Sequence, residues 1–232
     1  MGLKKTQWEL GPNPDPERWI DIRTKEGWLR RRRRKVKLKL NTVMQEHADA
    51  AKLTMPATNR LLGKLEPWVR GLELGRIRTT IAARLKKSYF ETGKMNFTYL
   101  QNLDLQPNRT MKMLLMPRPR VEVTNEVVVK IMTSEGAIKV KGSIFTEYYF
   151  ELIMLWGDVM KERGLRVEDE DSPLYPAKTE ETRQCVLKID VPTTKQPWMA
   201  LLKVCCLEGK ELAKNPRHYA LKVIAVSAND KC

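Results

Sequence analysis

The spacing of hydrophobic residues divides this chain into helical and extended segments. Two short helices are predicted over Thr42 to Leu53 and Ala57 to Glu66, and a proline closely follows each of them. Proline cannot continue a helix, so both helices are expected to end there. A third helix is predicted from Arg76 to Phe90, where apolar residues recur every four positions. Its apolar stripe consists of Ile77, Ile81, Leu85 and Tyr89.

The second half combines strand and helix patterns. A Val- and Ile-rich strand is predicted over Val121 to Met132, followed by a turn and a strand over Ala137 to Lys141. A wide apolar face predicts a long core helix over Phe145 to Arg163, with Gly164 as its C-terminal cap. The remaining elements are strands over Leu165 to Glu168, Gln184 to Val191 and Tyr219 to Val226, and a helix over Pro197 to Lys214. The order β-α-β-β-α-β is the split βαβ or ferredoxin-like arrangement, an α+β fold with two helices on one face of an antiparallel sheet.

The positive charge is concentrated in the first half of the chain. The 232 residues carry a formal net charge of +15. Lys and Arg number 27 against 11 Asp and Glu up to Arg120, and 16 against 17 after it. This division falls at Met116 to Arg120, where alternating prolines favour an extended linker. We therefore predict a basic, mainly helical and irregular N-terminal extension over residues 1–120 and a ferredoxin-like domain over residues 121–232.

A dense run of cations is the main candidate binding feature. Eight Lys and Arg side chains fall among the ten residues from Arg30 to Lys39. Such cations repel one another unless a polyanion neutralises them, and each phosphate contact releases counterions. A solvated basic tail or a nuclear-import signal is the simpler interpretation of this run. The basic helix Arg76 to Phe90 suits a position between RNA and protein, and also a membrane-surface helix, a calmodulin target or an ordinary surface helix. The predicted RNA-binding residues are Arg30, Arg31, Arg32, Arg33, Arg34, Lys35, Lys37, Lys39, Arg76, Arg78, Arg84, Lys86 and Lys87.

Residue types that carry catalysis are sparse. The four cysteines include no Cys-x-x-Cys pair, and the two histidines, His47 and His218, stand far apart. Neither a glycine-rich phosphate loop nor a nucleophile and base signature occurs. The nearest candidates are the acidic run Glu168 to Asp171 and the pair Cys205 and Cys206. We therefore predict no enzyme, no catalytic residue, no metal, no cofactor and no small-molecule substrate.

Several short motifs stand out in the second half of the chain. They are Ile138-Lys-Val-Lys-Gly142, the predicted helix with Tyr148 and Phe150, Gly164-Leu-Arg-Val167, Pro173-Leu-Tyr-Pro-Ala-Lys178 and Cys185-Val-Leu-Lys-Ile189. Over Val127 to Ile189 the chain resembles the small-subunit ribosomal protein ten family and a mitochondrial large-subunit protein of the same fold, number forty-eight. The resemblance implies a structural constituent of a ribosome that binds ribosomal RNA and neighbouring ribosomal proteins, and it adds Lys178 to the RNA-binding residues. Large basic extensions on this fold resemble mitochondrial ribosomal proteins, so the mitochondrial matrix is the expected location and the cytoplasm the alternative.

Two other classes of protein fit parts of the chain. Met1 to Thr6 matches the M-G-x-x-x-[ST] pattern of N-myristoylation, and the Arg run supplies a second membrane signal. A myristoylated basic peripheral-membrane or viral matrix-like protein is therefore the alternative. A viral nucleocapsid-like RNA packager is a variant that would form homo-oligomers on arbitrary RNA. The most apolar stretch, Leu152 to Trp156, is far shorter than the roughly 20 residues that span a bilayer, so no transmembrane segment is predicted.

Overall fold

The chain divides into two compact units. The computed structural model describes residues 19–24, 27–32, 42–69, 72–106, 109–140, 145–193, 196–209, 211–213 and 218–227. Its contacts separate Met1–Gln45 from Glu46–Cys232. The functional division after Arg120 stays a prediction, whereas packing places the residues on both sides of Arg120 in the second unit.

The first unit contains a pair of antiparallel strands. β1 (Trp19–Thr24) pairs with β2 (Gly27–Arg32). The register places Arg30 opposite Asp21 and Arg32 opposite Trp19. The first three cations of the predicted Arg run therefore lie on a strand.

Helix α1 (Thr42–Val69) runs through both of its prolines. Pro56 and Pro67 lie inside it, so the predicted break into two short helices is wrong. Proline in a helix interior costs about 3 kcal/mol, whereas burying one Leu or Val side chain contributes roughly 1.5–3 kcal/mol. α1 buries several such side chains, and both prolines are exposed, where water can bond the backbone carbonyls they leave unpaired.

Helix α2 (Leu74–Thr92) confirms the predicted basic amphipathic helix. It ends at Gly93, whose left-handed φ of 70° lets its N–H donate to the carbonyl of Tyr89. A short 3-10 helix (Phe97–Leu100) and α3 (Met111–Leu114) follow. Among the residues described, no helix is long and apolar enough to cross a membrane.

The strands of the second unit form two antiparallel sheets. In chain order they are β3 (Arg120–Val123), β4 (Glu126–Thr133), β5 (Glu147–Gly157), β6 (Leu165–Asp171), β7 (Tyr175–Pro176), β8 (Arg183–Asp190), β9 (Trp198–Glu208), β10 (Glu211–Leu212) and β11 (Tyr219–Val226). The smaller sheet has the order β3-β4-β8. In the larger sheet β5 and β9 pair at the centre, β6 and β7 pair with β5, and β10 and β11 pair with β9.

The two long helices predicted in the second half are wrong. Residues 145–163 and 197–214 contain the strands β5 and β9. Both strands are buried on both faces, and such strands present near-continuous apolar runs that periodicity alone cannot separate from a buried helix. Gly164, predicted as a helix cap, lies in the turn before β6. The mixed α+β class with antiparallel sheets is confirmed, but the ferredoxin-like order, which needs helices at these two places, is not.

Most of the predicted strands are confirmed. The predicted strand over residues 121–132 is the hairpin of β3 and β4, and β6, β8 and β11 correspond to the other three. The strand predicted over residues 137–141 is wrong for the part of it that is described. There the backbone forms a single bridge, between Ile138 and Leu115.

The second unit has three layers held by two hydrophobic clusters. Alternate residues of β5 point to opposite faces of the larger sheet. Leu152 and Met154 belong to the cluster between the two sheets, whereas Ile153 and Leu155 belong to the cluster under α1 and α2. The larger sheet is therefore covered by helices on one face and by the smaller sheet on the other.

Candidate nucleic-acid interface

The predicted RNA-binding residues fall into separate groups in the structure. Arg30, Arg31 and Arg32 lie on β2 in the first unit. Lys178 lies alone and exposed between β7 and β8. The structure brings one group together, on α2, which consists of Arg76, Arg78, Arg84, Lys86 and Lys87. The remainder of the Arg run lies outside the described residues and consists of Arg33, Arg34, Lys35, Lys37 and Lys39.

The buried face of α2 matches the predicted stripe closely. Ile77, Ile81 and Leu85 are buried, whereas Tyr89 is only partly buried. The fourth buried residue of α2 is Ser88. The cations of α2 therefore occupy the arc that the core leaves free.

Two of the α2 cations have carboxylate partners. Arg76 Nη1 lies 3.2 Å from Glu73 Oε2, and Lys87 Nζ lies 3.7 Å from Glu91 Oε1. Exposed pairs of this kind contribute only about 0–1 kcal/mol. Both cations can therefore exchange their partner for a phosphate at little cost.

Arg78 and Arg84 are exposed and form no ion pair with any other described residue. Six residues along an α-helix correspond to about 120° around its axis, and the buried stripe lies between the two. α2 therefore offers two guanidinium groups on opposite sides of its buried stripe. Lys86 lies over the ring of Phe90, with Nζ 5.8 Å from the ring centre.

A pocket in the second unit collects three cations that the sequence analysis missed. Lys112 comes from α3, Arg118 from the segment before β3, and Lys222 from β11. We call this the basic pocket. Its volume is about 260 Å³, and none of the described residues that line it has a carboxylate. The rest of its lining consists of Asn102, Met111, Leu115, Pro119, Val121 and Ile224.

Backbone and side-chain hydrogen bonds hold the walls of the basic pocket in place. Asp104 Oδ1 accepts a hydrogen bond from the backbone N–H of Met111 at 2.8 Å, which fixes the start of α3. Asp104 is also the bridge partner of Lys222, and the N–H of Leu105 donates to the carbonyl of Leu221 at 2.7 Å. The loop, α3 and β11 are thereby joined, so the pocket is a preformed part of the fold.

A second concavity carries the opposite charge. It has a volume of about 530 Å³, and its lining includes Glu126, Glu168, Asp169, Glu170 and Asp190. The predicted acidic run lies here, on β6. Within the described part of the chain, no group of three or more His, Cys, Asp or Glu side chains is placed to hold a metal ion. The negative charge of this concavity repels a polyanion.

The larger sheet contains a buried polar cluster. Lys203 Nζ lies 2.8 Å from Glu151 Oε2, and Cys205 Sγ lies 3.8 Å from Glu151 Oε1. Burial alone would lower the pKa of Lys203, but its neighbours Cys205 and Glu151 raise it above the usual value. Burial raises the pKa of Cys205 to about 12, and it does the same for Cys206. Both thiols are therefore neutral near pH 7, which makes them poor nucleophiles.

Comparison with protein-family models, with curated proteins and with solved structures gives no match for this chain. Fold and charge define an α+β protein whose first unit is strongly basic in sequence and whose second unit contains a basic pocket. The ribosomal resemblance remains a sequence expectation. Its predicted helix with Tyr148 and Phe150 is strand β5.

Proposed function

We propose that this protein is a non-enzymatic, RNA-binding constituent of a ribonucleoprotein particle. The particle suggested by the sequence resemblance is a ribosome of the mitochondrial matrix, with ribosomal RNA and neighbouring ribosomal proteins as partners. One observation carries the proposal: eight cations fall within residues 30–39, in the first unit. We call the second unit, residues 46–232, the compact unit. We call residues 30–39 the basic arm.

The charge of the two units supports different roles for them. Residues 1–45 contain 13 Lys and Arg against 5 Asp and Glu, whereas residues 46–232 contain 30 against 23. The smaller unit therefore carries more than half of the net charge. Charge at this density favours a polyanion, because every phosphate contact releases a condensed counterion.

The second unit supplies a stable body for this arm. Its two hydrophobic clusters cover both faces of the larger sheet, and the exposed Arg78, Arg84 and Lys178 provide further phosphate contacts. In this proposal the compact unit is anchored against neighbouring proteins, and the basic arm supplies most of the affinity for RNA.

The salt dependence of RNA binding tests the proposal. We would replace the five arginines at positions 30–34 with glutamine and measure the affinity for purified ribosomal RNA between 50 and 200 mM salt, a range over which phosphate contacts are known to dominate the change. If all five contact single-stranded phosphates, the slope of log K against log salt becomes shallower by about 3.5. An unchanged affinity and slope would contradict the proposal.

A charge-matched variant provides the control. It removes five exposed cations of the compact unit that lie outside the proposed RNA contacts: Lys64→Gln, Lys94→Gln, Lys139→Gln, Lys161→Gln and Arg163→Gln. Its net charge equals that of the arm variant. RNA binding should remain close to that of the native chain. An equal loss in both variants would show that total charge, and not the basic arm, determines binding.

A further inference from the structure

The basic pocket combines two chemical characters that match one class of ligand. Three cations, Lys112, Arg118 and Lys222, stand around a cavity whose remaining surface is mainly apolar. We propose that this pocket binds a single nucleotide, with the phosphate between the three cations and the base against the apolar residues. The pocket lies within the compact unit, so this goes beyond the function proposed for the basic arm.

The charges of the pocket favour a phosphate ligand. Among the residues that the structure describes, no carboxylate lines the pocket, and none forms an ion pair with any of its three cations. The nearby Asp104 uses Oδ1 to accept the Met111 N–H. Cations that line one pocket without an ion-pair partner repel one another, whereas a phosphate monoester carries about −1.5 to −2 charges near pH 7 and three acceptor oxygens. Arg118 adds a planar fork that bonds phosphate at two points.

The apolar lining indicates a ligand that has an apolar part in addition to its phosphate. Pro119, Val121 and Ile224 are only partly buried and supply the apolar surface that remains open to water, whereas Met111 and Leu115 are already buried. Inorganic phosphate would leave this surface in water, whereas a planar base covers it and removes it from water. A ring attached to a phosphate therefore satisfies both halves of the pocket.

The size of the pocket and the side chain of Asn102 indicate which nucleotide fits best. A volume of about 260 Å³ is slightly below the roughly 300–1,000 Å³ of typical ligand sites, so it accommodates one nucleotide, either free or as a single residue of an RNA strand. Asn102 has a left-handed φ of 60°, a conformation that few side chains other than Asn and Asp adopt readily. Its amide offers a donor and an acceptor to the edge of a base, and such a pair matches adenine best.

Calorimetric titration of the full chain tests this site. The probes are AMP, adenosine, inorganic phosphate and a short oligoadenylate, which separates a free nucleotide from a nucleotide within RNA. AMP should bind at least about tenfold more tightly than adenosine or inorganic phosphate, because only AMP uses both halves of the pocket. Equal affinity for AMP and inorganic phosphate would overturn the proposal.

Variants that each replace one cation test the contribution of the pocket to AMP binding. Arg118→Gln and Lys222→Gln should each weaken AMP binding by about tenfold, since each loses one charge-assisted hydrogen bond. Lys139→Gln and Lys161→Gln, exposed and outside the pocket, should leave it unchanged. If, in a chain that also lacks the arginines at positions 30–34, oligoadenylate binding falls with AMP binding, the natural source is RNA. If only AMP binding falls, the source is a free nucleotide.

The basic arm and the basic pocket can be tested separately. The variant without the arginines at positions 30–34 should keep its AMP affinity, because none of the described arm residues lines the pocket. The pocket proposal is overturned if Arg118→Gln binds AMP and oligoadenylate as the native chain does. That result would leave the salt-dependent RNA binding of the arm intact.

Discussion

Glu151 and Lys203 form an ion pair inside the compact unit, with Oε2 and Nζ 2.8 Å apart and only 10% of each side chain exposed. The two residues are direct neighbours across the central strands β5 and β9. Because both charges are withdrawn from water, each depends on the other for compensation. The pair also specifies strand register, since a shift of either strand by one residue would turn one of the two charges to the other face of the sheet and separate the pair.

Removal of one partner should destabilise the fold strongly. We expect Lys203→Met to lower the free energy of unfolding by about 3–5 kcal/mol, because Glu151 is left buried without its cation. Urea unfolding followed by circular dichroism measures this. The double variant Glu151→Gln with Lys203→Met should recover most of the loss, because no unpaired charge remains. Native stability of Lys203→Met alone would show that the pair is not buried as described.

Gly157 should tolerate no side chain. Its φ is +119°, and a Cβ atom would stand 1.9 Å from the carbonyl oxygen of Gly164. We expect Gly157→Ala to cost about 3 kcal/mol or more, because two backbone segments must separate. The control is Gly63→Ala in α1, where nothing lies within 4 Å, and it should stabilise by about 0.5–1 kcal/mol. Thermal unfolding compares the two, and a similar small effect of both would refute the close approach.

Stability should fall as the solution is acidified, in part through His218. Burial lowers the pKa of His218 below its usual value, with Glu208 acting in the opposite direction and Arg109 in the same one. The unfolded chain therefore binds a proton near pH 6.5 that the folded chain does not yet bind. This contribution is complete above that pH and is lost as pH falls towards the folded pKa. The urea midpoint should drop less between pH 7.5 and 5.5 in His218→Gln than in the native chain, and equal drops would argue against it.

Three cysteines should be unreactive in the folded protein. Cys185, Cys205 and Cys206 are buried, and burial raises the pKa of each above its usual value. Alkylation needs the thiolate, so iodoacetamide at pH 8 should label these positions only after urea unfolding. Peptide mass spectrometry reads out each position. Labelling of Cys205 in the native state at the unfolded rate would mean that β9 is not a central strand.

Strands with one exposed face were predictable from the sequence, and strands buried on both faces were not. β8 alternates between buried and exposed residues, and its predicted bounds agree with the structure within one residue at each end. In β9, ten consecutive residues are buried, so the sequence lacks the alternation that identifies a strand. The prolines of α1 led to a different error, because the sequence predicted two short helices where the structure has one long helix. The tertiary packing of its apolar face outweighs the local cost of the prolines.

The basic pocket illustrates a different limit of sequence reasoning. Lys112 and Arg118 stand close together in the chain, but Lys222 lies about 100 residues further on. Only the pairing of the loop around Asp104 with β11 brings them together. The basic arm was evident from the sequence because its cations are consecutive, and local density needs no fold to be recognised.

Sedimentation of the native protein through a sucrose gradient, with and without ribonuclease, tests the central claim most directly. A constituent of a ribonucleoprotein migrates with a large particle at low salt and shifts to the top of the gradient after ribonuclease treatment. Migration with ribosomal RNA that is lost on digestion is the result that we expect. Migration with membranes, or as a free protein both before and after digestion, would contradict the proposed function.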